Sequence, residues 1–291
     1  MAKIITKDTK PGKGIEKDAP EKRRFFLFFE IFFDKFFKLI QLNFIYFVCL
    51  LPLFLGLYFS MSTDITYSTL KSAFDMPPFY FRPDFPNLPG TLLLLASIFL
   101  TGPATAGFTY VIRNMQRREH TWIMSDFFSQ FKKNFKQGVI MSVIDLLCYL
   151  VLYVALMFYL YIMPVDAPEA GTVMPFLGAM FVGALLLVFT WAHYYIYTMM
   201  VTFELEFSKL FKNSLLFAIG KLPLNILITV LVLVVVVIEH LIYSSISVIA
   251  GIFMPIITLS LIGFIIIFST YPTIDKMMIQ KVSKRVLNTR G

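Results

Sequence analysis

Residues 222–238 read LPLNILITVLVLVVVVI, seventeen positions without a charged side chain. A helix needs roughly 20 mainly apolar residues to cross a hydrocarbon core about 30 Å thick. Taken on to residue 243 the run reaches that length. Lipid offers backbone N–H and C=O groups no partners, so each must be satisfied within the segment, which makes a long isolated run of this kind a helix. Five further stretches have the same character: 39–60, 90–112, 138–163, 174–203 and 248–271. The expectation is an all-α, polytopic transmembrane helical bundle of six spans, forming one domain over 25–275. Composition agrees. Soluble domains carry about 25% charged residues, whereas this chain is 15% charged and 58% hydrophobic, with 33 Phe among 291 residues.

Lys and Arg set the orientation, because cytoplasmic segments carry an excess of them. Residues 1–38 hold ten basic and six acidic side chains, and 113–137 hold six and two. Residues 204–221 hold three and two, and the segment after the sixth span holds five and one. The alternate connections, 61–89 and 164–173, are net acidic. Both termini are therefore expected in the cytoplasm. Residues 1–24 are polar, with no apolar stretch of signal-peptide kind, and read as a disordered basic tail. Residues 276–291 read as a second basic tail. The fifth and sixth spans lie so close in sequence that a tight hairpin is expected between them.

Each outward span is preceded by an aromatic and basic segment. The first is FFLFFEIFFDKFFK, expected as an interfacial helix over 25–38, on which Glu30, Asp34, Lys38 and Gln41 form a polar stripe. The second is an inner amphipathic helix over 121–137. There Met124, Phe127, Phe128, Phe131 and Phe135 make an apolar face opposed by Lys132, Lys133 and Lys136. Rings at the acyl boundary and Lys at anionic headgroups suit the cytoplasmic interface, so membrane lipids are the expected partners. The third is EFSKLFKNSLLF. FSQFKKN (128–134) aligns with FSKLFKN (207–213), which suggests repeated helical hairpins, each introduced by an interfacial helix.

Ionisable groups inside a bilayer are costly and mark candidate sites. Asp145 lies seven residues into the third span, about 10 Å from its inner end at 1.5 Å per residue. His193 lies about 15 Å deep in the fourth span by the same rise. Successive antiparallel spans can bring these two together, and Asn43 and Asn225 lie at similar depth. A polar cluster of Asp145, His193, Asn43 and Asn225 could form a proton or cation pathway or a polar pocket, or could simply bond helices together. In the second span TGPATAG (101–107) places Gly102 and Gly107 around Pro103, a close helix crossing or a break beside a path. Ala179 and Gly183 offer a second surface of small residues. Glu239 and His240 are expected near outer water and His120 in the basic inner loop. The outer loop 61–89, with Pro77, Pro78 and the run Phe79–Tyr80–Phe81, is expected on the membrane surface.

Several classes are disfavoured. Cys49 and Cys148 sit in separate apolar spans and make neither a disulfide framework nor a zinc site. GxxxxGK[ST], GxSxG and HExxH are absent from the sequence. No cofactor or metal is expected. The basic aromatic segments recur at membrane edges, which argues against nucleic acid as partner.

The stretch GPATAGFTYVIRNMQRREHTWIMSDFFSQFKKNFKQG (102–138) resembles the core signature of the YesL-type family of bacterial membrane proteins, a domain of unknown function. FELEFSKLFKNSLLFAIGKLP (203–223) and FFKLIQLNFIYFVCLLP (36–52) are similar to its other characteristic stretches, so the likeness covers most of 25–245. The long loop 61–89 departs from it. The resemblance implies a bacterial plasma membrane and an association with carbohydrate uptake. It supplies no catalytic residue. Three classes stand open in this order: a non-catalytic accessory or regulatory component that binds another membrane component; a small transporter or channel built on Asp145 and His193; and an intramembrane enzyme.

Overall fold

A computed structural model of the protein describes residues 23–62, 88–163, 173–245 and 255–280. In chain order the helices are α1 (Arg24–Asp34), α2 (Phe36–Ser62), α3 (Leu88–Gln116), α4 (Ile123–Lys133) and α5 (Phe135–Met157). They continue as α6 (Val173–Met200), α7 (Phe207–Gly220), α8 (Leu222–Ser245) and α9 (Pro255–Ile274). A π-helical turn, Phe158–Ile162, extends α5, and another, Asp275–Gln280, extends α9. Helices α2, α3, α5, α6, α8 and α9 are each long and apolar enough to cross a membrane. The architecture is all-α among the described residues. Most of the tail 1–24, most of the loop 61–89, the α8–α9 connection and the end of the C-terminal tail lie outside the described residues.

The helices fall into three consecutive units, each a short helix, a long helix and a returning helix: α1–α2–α3, α4–α5–α6 and α7–α8–α9. One residue separates the first two helices of each unit. Lys35 (φ −103°, ψ 10°), Asn134 (−100°, 14°) and Lys221 (−124°, 36°) share one conformation near the sparsely allowed bridge region. Each still donates to the carbonyl four residues back, Ile31, Gln130 and Phe217. Each also accepts from the N–H four residues on, Leu39, Gly138 and Asn225. The chain thus turns an elbow without orphaning the elbow residue's own backbone groups. At the first elbow Lys35 reaches Asp34 at 2.5 Å and holds that carboxyl below its ordinary range.

These elbows correct the sequence boundaries. The interfacial helix expected over 25–38 ends at Asp34, and the one expected over 121–137 runs only Ile123–Lys133. Phe135 and Lys136 open the long helix α5 instead. Arg24 begins α1 rather than ending a tail, and 276–280 continue α9 as a π-helical turn. The FSQFKKN and FSKLFKN match is out of register with the structural repeat. Phe128 lies mid-helix, whereas Phe207 opens α7.

Helix α3 is the hub, packing against α2, α4, α5, α6 and α9. Small residues make this possible. A Cβ at Gly102 would lie 2.0 Å from the Gly138 carbonyl oxygen of α5, and one at Gly138 would lie 2.6 Å from Pro103 N. A Cβ at Gly107 would lie 2.6 Å from the Phe127 carbonyl oxygen, and one at Gly263 of α9 would strike the Phe108 ring. Pro103 removes one N–H from α3. Beside it, Gly102 N–H donates to Ser142 Oγ (2.8 Å), whose hydroxyl also meets Thr101 (2.9 Å). Pro272 likewise cannot donate to the Phe268 carbonyl one turn back. Arg24 takes that carbonyl at 2.7 Å and lies 5.4 Å over the Phe268 ring.

Two apolar cores result. One gathers α1, α2, α3, α4 and α9 around Phe108, Phe127 and Phe264. The other gathers α5 to α8 around the C-terminal half of α6, where Trp191, Tyr194, Tyr195 and Tyr197 are buried. Phe127 is therefore a core residue and not a lipid-facing one, because it fills the space that Gly107 leaves. Phe128, Phe135, Lys132, Lys133 and Lys136 are exposed, and Phe131 is half-buried. In α6 the close approach is at Gly178, against the Tyr159 ring, and not at Gly183, which meets nothing within 4 Å.

Gly102→Leu is expected to abolish recovery of folded protein in detergent, because the side chain would have to displace backbone on α5. Gly183→Ala should leave the thermal transition unchanged. Fluorescence-detected size exclusion after a temperature series measures both, and equal losses would remove the backbone crossing as the constraint.

Candidate functional site

The site lies between α5 and α6. Along α5, Gly138, Ser142 and Asp145 follow at helical spacing, so the helix that meets α3 through its small residues carries Asp145 one turn further on. From α6, His193 Nε2 meets Asp145 Oδ1 at 2.6 Å. His193 Nδ1 lies 2.9 Å from the Phe189 carbonyl oxygen. The imidazole stands edge-on to Phe189, with centroids 4.8 Å apart, and is flanked by Tyr149 and Tyr197 at 6.0 and 6.3 Å. The His193 and Asp145 side chains are 18% and 24% exposed, half-enclosed rather than sealed.

The two contacts fit the chemistry of the ring: the Phe189 carbonyl can only accept, and an Nε2–H would donate to the Asp145 carboxylate. A His–Asp pair carries no net charge as an ion pair or as two neutral groups, which lowers the cost of keeping both in a span.

Asn225 and Asn43 do not join this pair. Asn225 sits between α8, α6 and α7. Tyr195 donates its hydroxyl to Asn225 Oδ1 at 2.6 Å, and Asn225 Nδ2 donates to the Ala218 carbonyl at 2.8 Å. One turn along, Thr229 takes the Trp191 indole N–H (2.9 Å) and contacts the Tyr194 hydroxyl (3.0 Å). Asn43 belongs to the α2–α9 contact, where its Oδ1 accepts Ser260 N–H at 2.9 Å. Ser260 Oγ then donates to the Leu39 carbonyl at 2.9 Å. The expected four-residue cluster is thus three separate interhelical clusters. Similar depth does not bring residues together when they point to different neighbours.

Sequence reasoning missed Ser142, Thr229 and Arg113. Ser142 and Thr229 lie three and four residues from Asp145 and Asn225, which is the spacing that would have flagged them. Arg113 was counted only as a basic residue of the inner segment. It is buried at the end of α3, donating to the Val201 carbonyl (2.7 Å) and Thr202 Oγ1 (3.1 Å), with Tyr110 4.7 Å below its guanidinium. Towards the opposite end, Glu239 accepts from Thr258 across α8 and α9 (3.1 Å), while His240 is exposed. Cys49 and Cys148 are free and half-buried.

The fold and its paired intramembrane groups define a polytopic, all-α membrane protein. Residues 57–156 match the family model described as a protein of unknown function, DUF624, about a third of the chain. That match agrees with the resemblance of 102–138 to the YesL-type family, and it includes Asp145 but not His193. No curated protein and no solved structure matches the chain.

A double-mutant cycle of Asp145→Asn and His193→Gln is expected to give a coupling energy above the average of about 0.6 kcal/mol for interhelical hydrogen bonds. Reversible unfolding in mixed micelles measures it. A coupling near zero would mean that the pair does not hold α5 to α6.

Proposed function

We propose that this chain is a non-catalytic accessory or regulatory component of a bacterial plasma membrane, with both termini in the cytoplasm, acting beside a carbohydrate-uptake system. The observation that carries this reading is how the polar groups of the spans are engaged. Asp145 bonds His193, Asn225 bonds Tyr195 and Asn43 bonds Ser260, each across a helix contact. Their chemistry serves to hold the bundle together. The bundle also leaves long apolar stripes at its sides. On α5, Leu146, Leu147, Leu150 and Val154 are exposed, and on α8, Ile226, Val230, Leu233 and Val237. Such stripes suit lipid or the helix of a partner, with packing as the attraction. The orientation rests on the excess of Lys and Arg at the end bearing α1, α4 and α7. The carbohydrate context rests on the YesL-type resemblance.

The contact of Asp145 with His193 favours a second reading, a small transporter or channel using an inner-leaflet polar layer around these two residues. A carboxylate and an imidazole in contact inside two adjacent spans are the chemistry that proton relays use.

Purification from native membranes in mild detergent, followed by mass spectrometry, is expected to recover a stoichiometric membrane partner. Substitutions such as Val230→Trp on α8 should release that partner without unfolding the chain. Recovery of the chain alone, with solute flux in liposomes that Asp145→Asn stops, would replace this reading with the second.

A further inference from the structure

A groove of about 1300 Å³ runs between α2 and the connection from α3 to α4. It exceeds the roughly 300–1,000 Å³ usual for a small-molecule site. At the start of α2 its lining is polar, with Lys38 and Gln41 beside His120 and Thr121. Further along α2, past Asn43, it is apolar, with Phe44 and Phe47. From Lys38 to Phe47 the axis of α2 rises roughly 13 Å, close to the depth of one leaflet's hydrocarbon. The groove is thus charged at one end and greasy for the length of an acyl chain.

Three features build its polar end. The first is a held loop. Arg118 adopts φ 58°, in the left-handed region. Its N–H bonds Met115 O (3.0 Å), and Glu119 N–H bonds Asn114 O (2.9 Å). This is the Schellman arrangement that ends helices, with Arg in the place Gly usually takes. The Arg118 guanidinium reaches Glu30 of α1 at 2.8 Å, anchoring the connection so that 120–122 run beside α2. The second is a buried hydroxyl. Thr121 lines the groove, is 3% exposed, and its Oγ1 has no hydrogen-bond partner among the described residues. A buried polar group left so is costly unless something supplies the bond. The third is positive charge that makes no ion-pair contact. Arg117 is paired with Glu119 (2.8 Å), and Asp34 with Lys35, the nearer of the two lysines whose charges it feels. Lys38 instead ends on the Thr121 carbonyl at 3.3 Å, a long contact to a neutral group. The first turn of the eleven-residue α4 adds Ile123, Met124 and Ser125 to the lining, with their N–H groups at the positive end of a helix. Asp126 of that turn is occupied by Trp122 N–H (2.9 Å).

We propose that this groove is a binding site for one anionic phospholipid, its phosphate held by Lys38, Thr121 and the start of α4, and an acyl chain laid along Phe44 and Phe47. Charge complementarity selects the occupant. A free phosphate would satisfy Lys38 and Thr121 but leave the apolar trough empty, while a zwitterionic lipid would fill the trough but already pairs its phosphate with its own headgroup cation. The open side suits a bilayer lipid: Phe44 is 69% and Trp122 70% exposed, and His120 lies 4.9 Å from the Trp122 ring. The site is independent of the accessory reading. It also differs from the general attraction of exposed Lys132, Lys133 and Lys136 to a charged surface, because it is a fixed cleft for a single molecule.

Trp122 and Trp191 are the only tryptophans, so Trp191→Phe leaves Trp122 as a reporter inside the groove. The protein is reconstituted in phosphatidylcholine vesicles with increasing brominated phosphatidylglycerol, and separately with brominated phosphatidylcholine. Quenching by the anionic lipid is expected to saturate at low mole fraction, with a preference of about fivefold, the effect of one basic side chain near an anionic surface. Lys38→Gln should erase the preference and Lys38→Arg should keep it. If Trp191→Phe does not fold, the same titration on the wild-type chain reads Trp122 over the constant background of buried Trp191. In native mass spectrometry the wild-type chain should retain one phosphatidylglycerol, and Lys38→Gln none. Equal quenching by the two lipids would overturn the proposal, leaving Trp122 in the ordinary lipid shell. Protection of Trp122 from both lipids would also overturn it, and would assign the groove to a protein segment such as a second copy of the chain.

Discussion

Two backbones touch where α3 crosses α5, and the rest of the bundle is arranged around that contact. Gly102 and Gly138 approach so closely that a single Cβ on either would collide with main-chain atoms of the other helix. Lipid tails are as apolar as leucine, so helices in a membrane gain little from hiding apolar surface from one another. Close packing and interhelical hydrogen bonds must hold them instead. The crossing supplies both. Small residues admit the backbone, and Ser142 then reaches Gly102 N–H beside the donor that Pro103 lacks. With α5 held there, Asp145 one turn further on faces α6, and the second core is tied to the first.

The elbows solve a different problem, how to place a short helix at an angle to a long one without exposing polar backbone. In a continuous helix every N–H is paired four residues back. At Lys35, Asn134 and Lys221 the chain bends while keeping that pairing on both sides of the bend. Two of the three elbow residues are Lys, which lets the charged end remain in water or at headgroups while the stem stays along apolar surface. Repetition of the device three times makes one end of the molecule a layer of short helices and the remainder a layer of spans. The layer at that end is where the α3–α4 connection closes over α2.

The six spans were legible because a run such as 222–238 has only one physical reading. Their ends were not, since at Lys35 and Asn134 no Gly or Pro adjoins the bend and Phe residues stand close on both sides of it. Phe127 shows a deeper limit. Protein core and lipid are equally apolar, so a helix face cannot declare which of them it meets. The clue was on another helix, in Gly107, and only the fold pairs the two. Asp145 and His193 could be matched by depth because they lie on successive spans. Asn43 and Asn225 share that depth, but depth gives no direction around a helix axis, and each turned to a different neighbour. The polar stripe of Glu30, Asp34, Lys38 and Gln41 was visible in sequence as well. Its purpose was not, because Glu30 and Lys38 receive a loop more than 80 residues distant.

A related rule places several interior polar groups against groups whose isolation would be costly. Arg24 reaches the carbonyl that Pro272 cannot serve, and Arg113 meets the carbonyl end of α6, where helix carbonyls run out of intrahelical donors. Asn225 takes the Tyr195 hydroxyl and returns its amide to α7. Asp145 and His193 differ from these in one respect: both partners are ionisable, and paired across α5 and α6 they cost less in a span than either would alone.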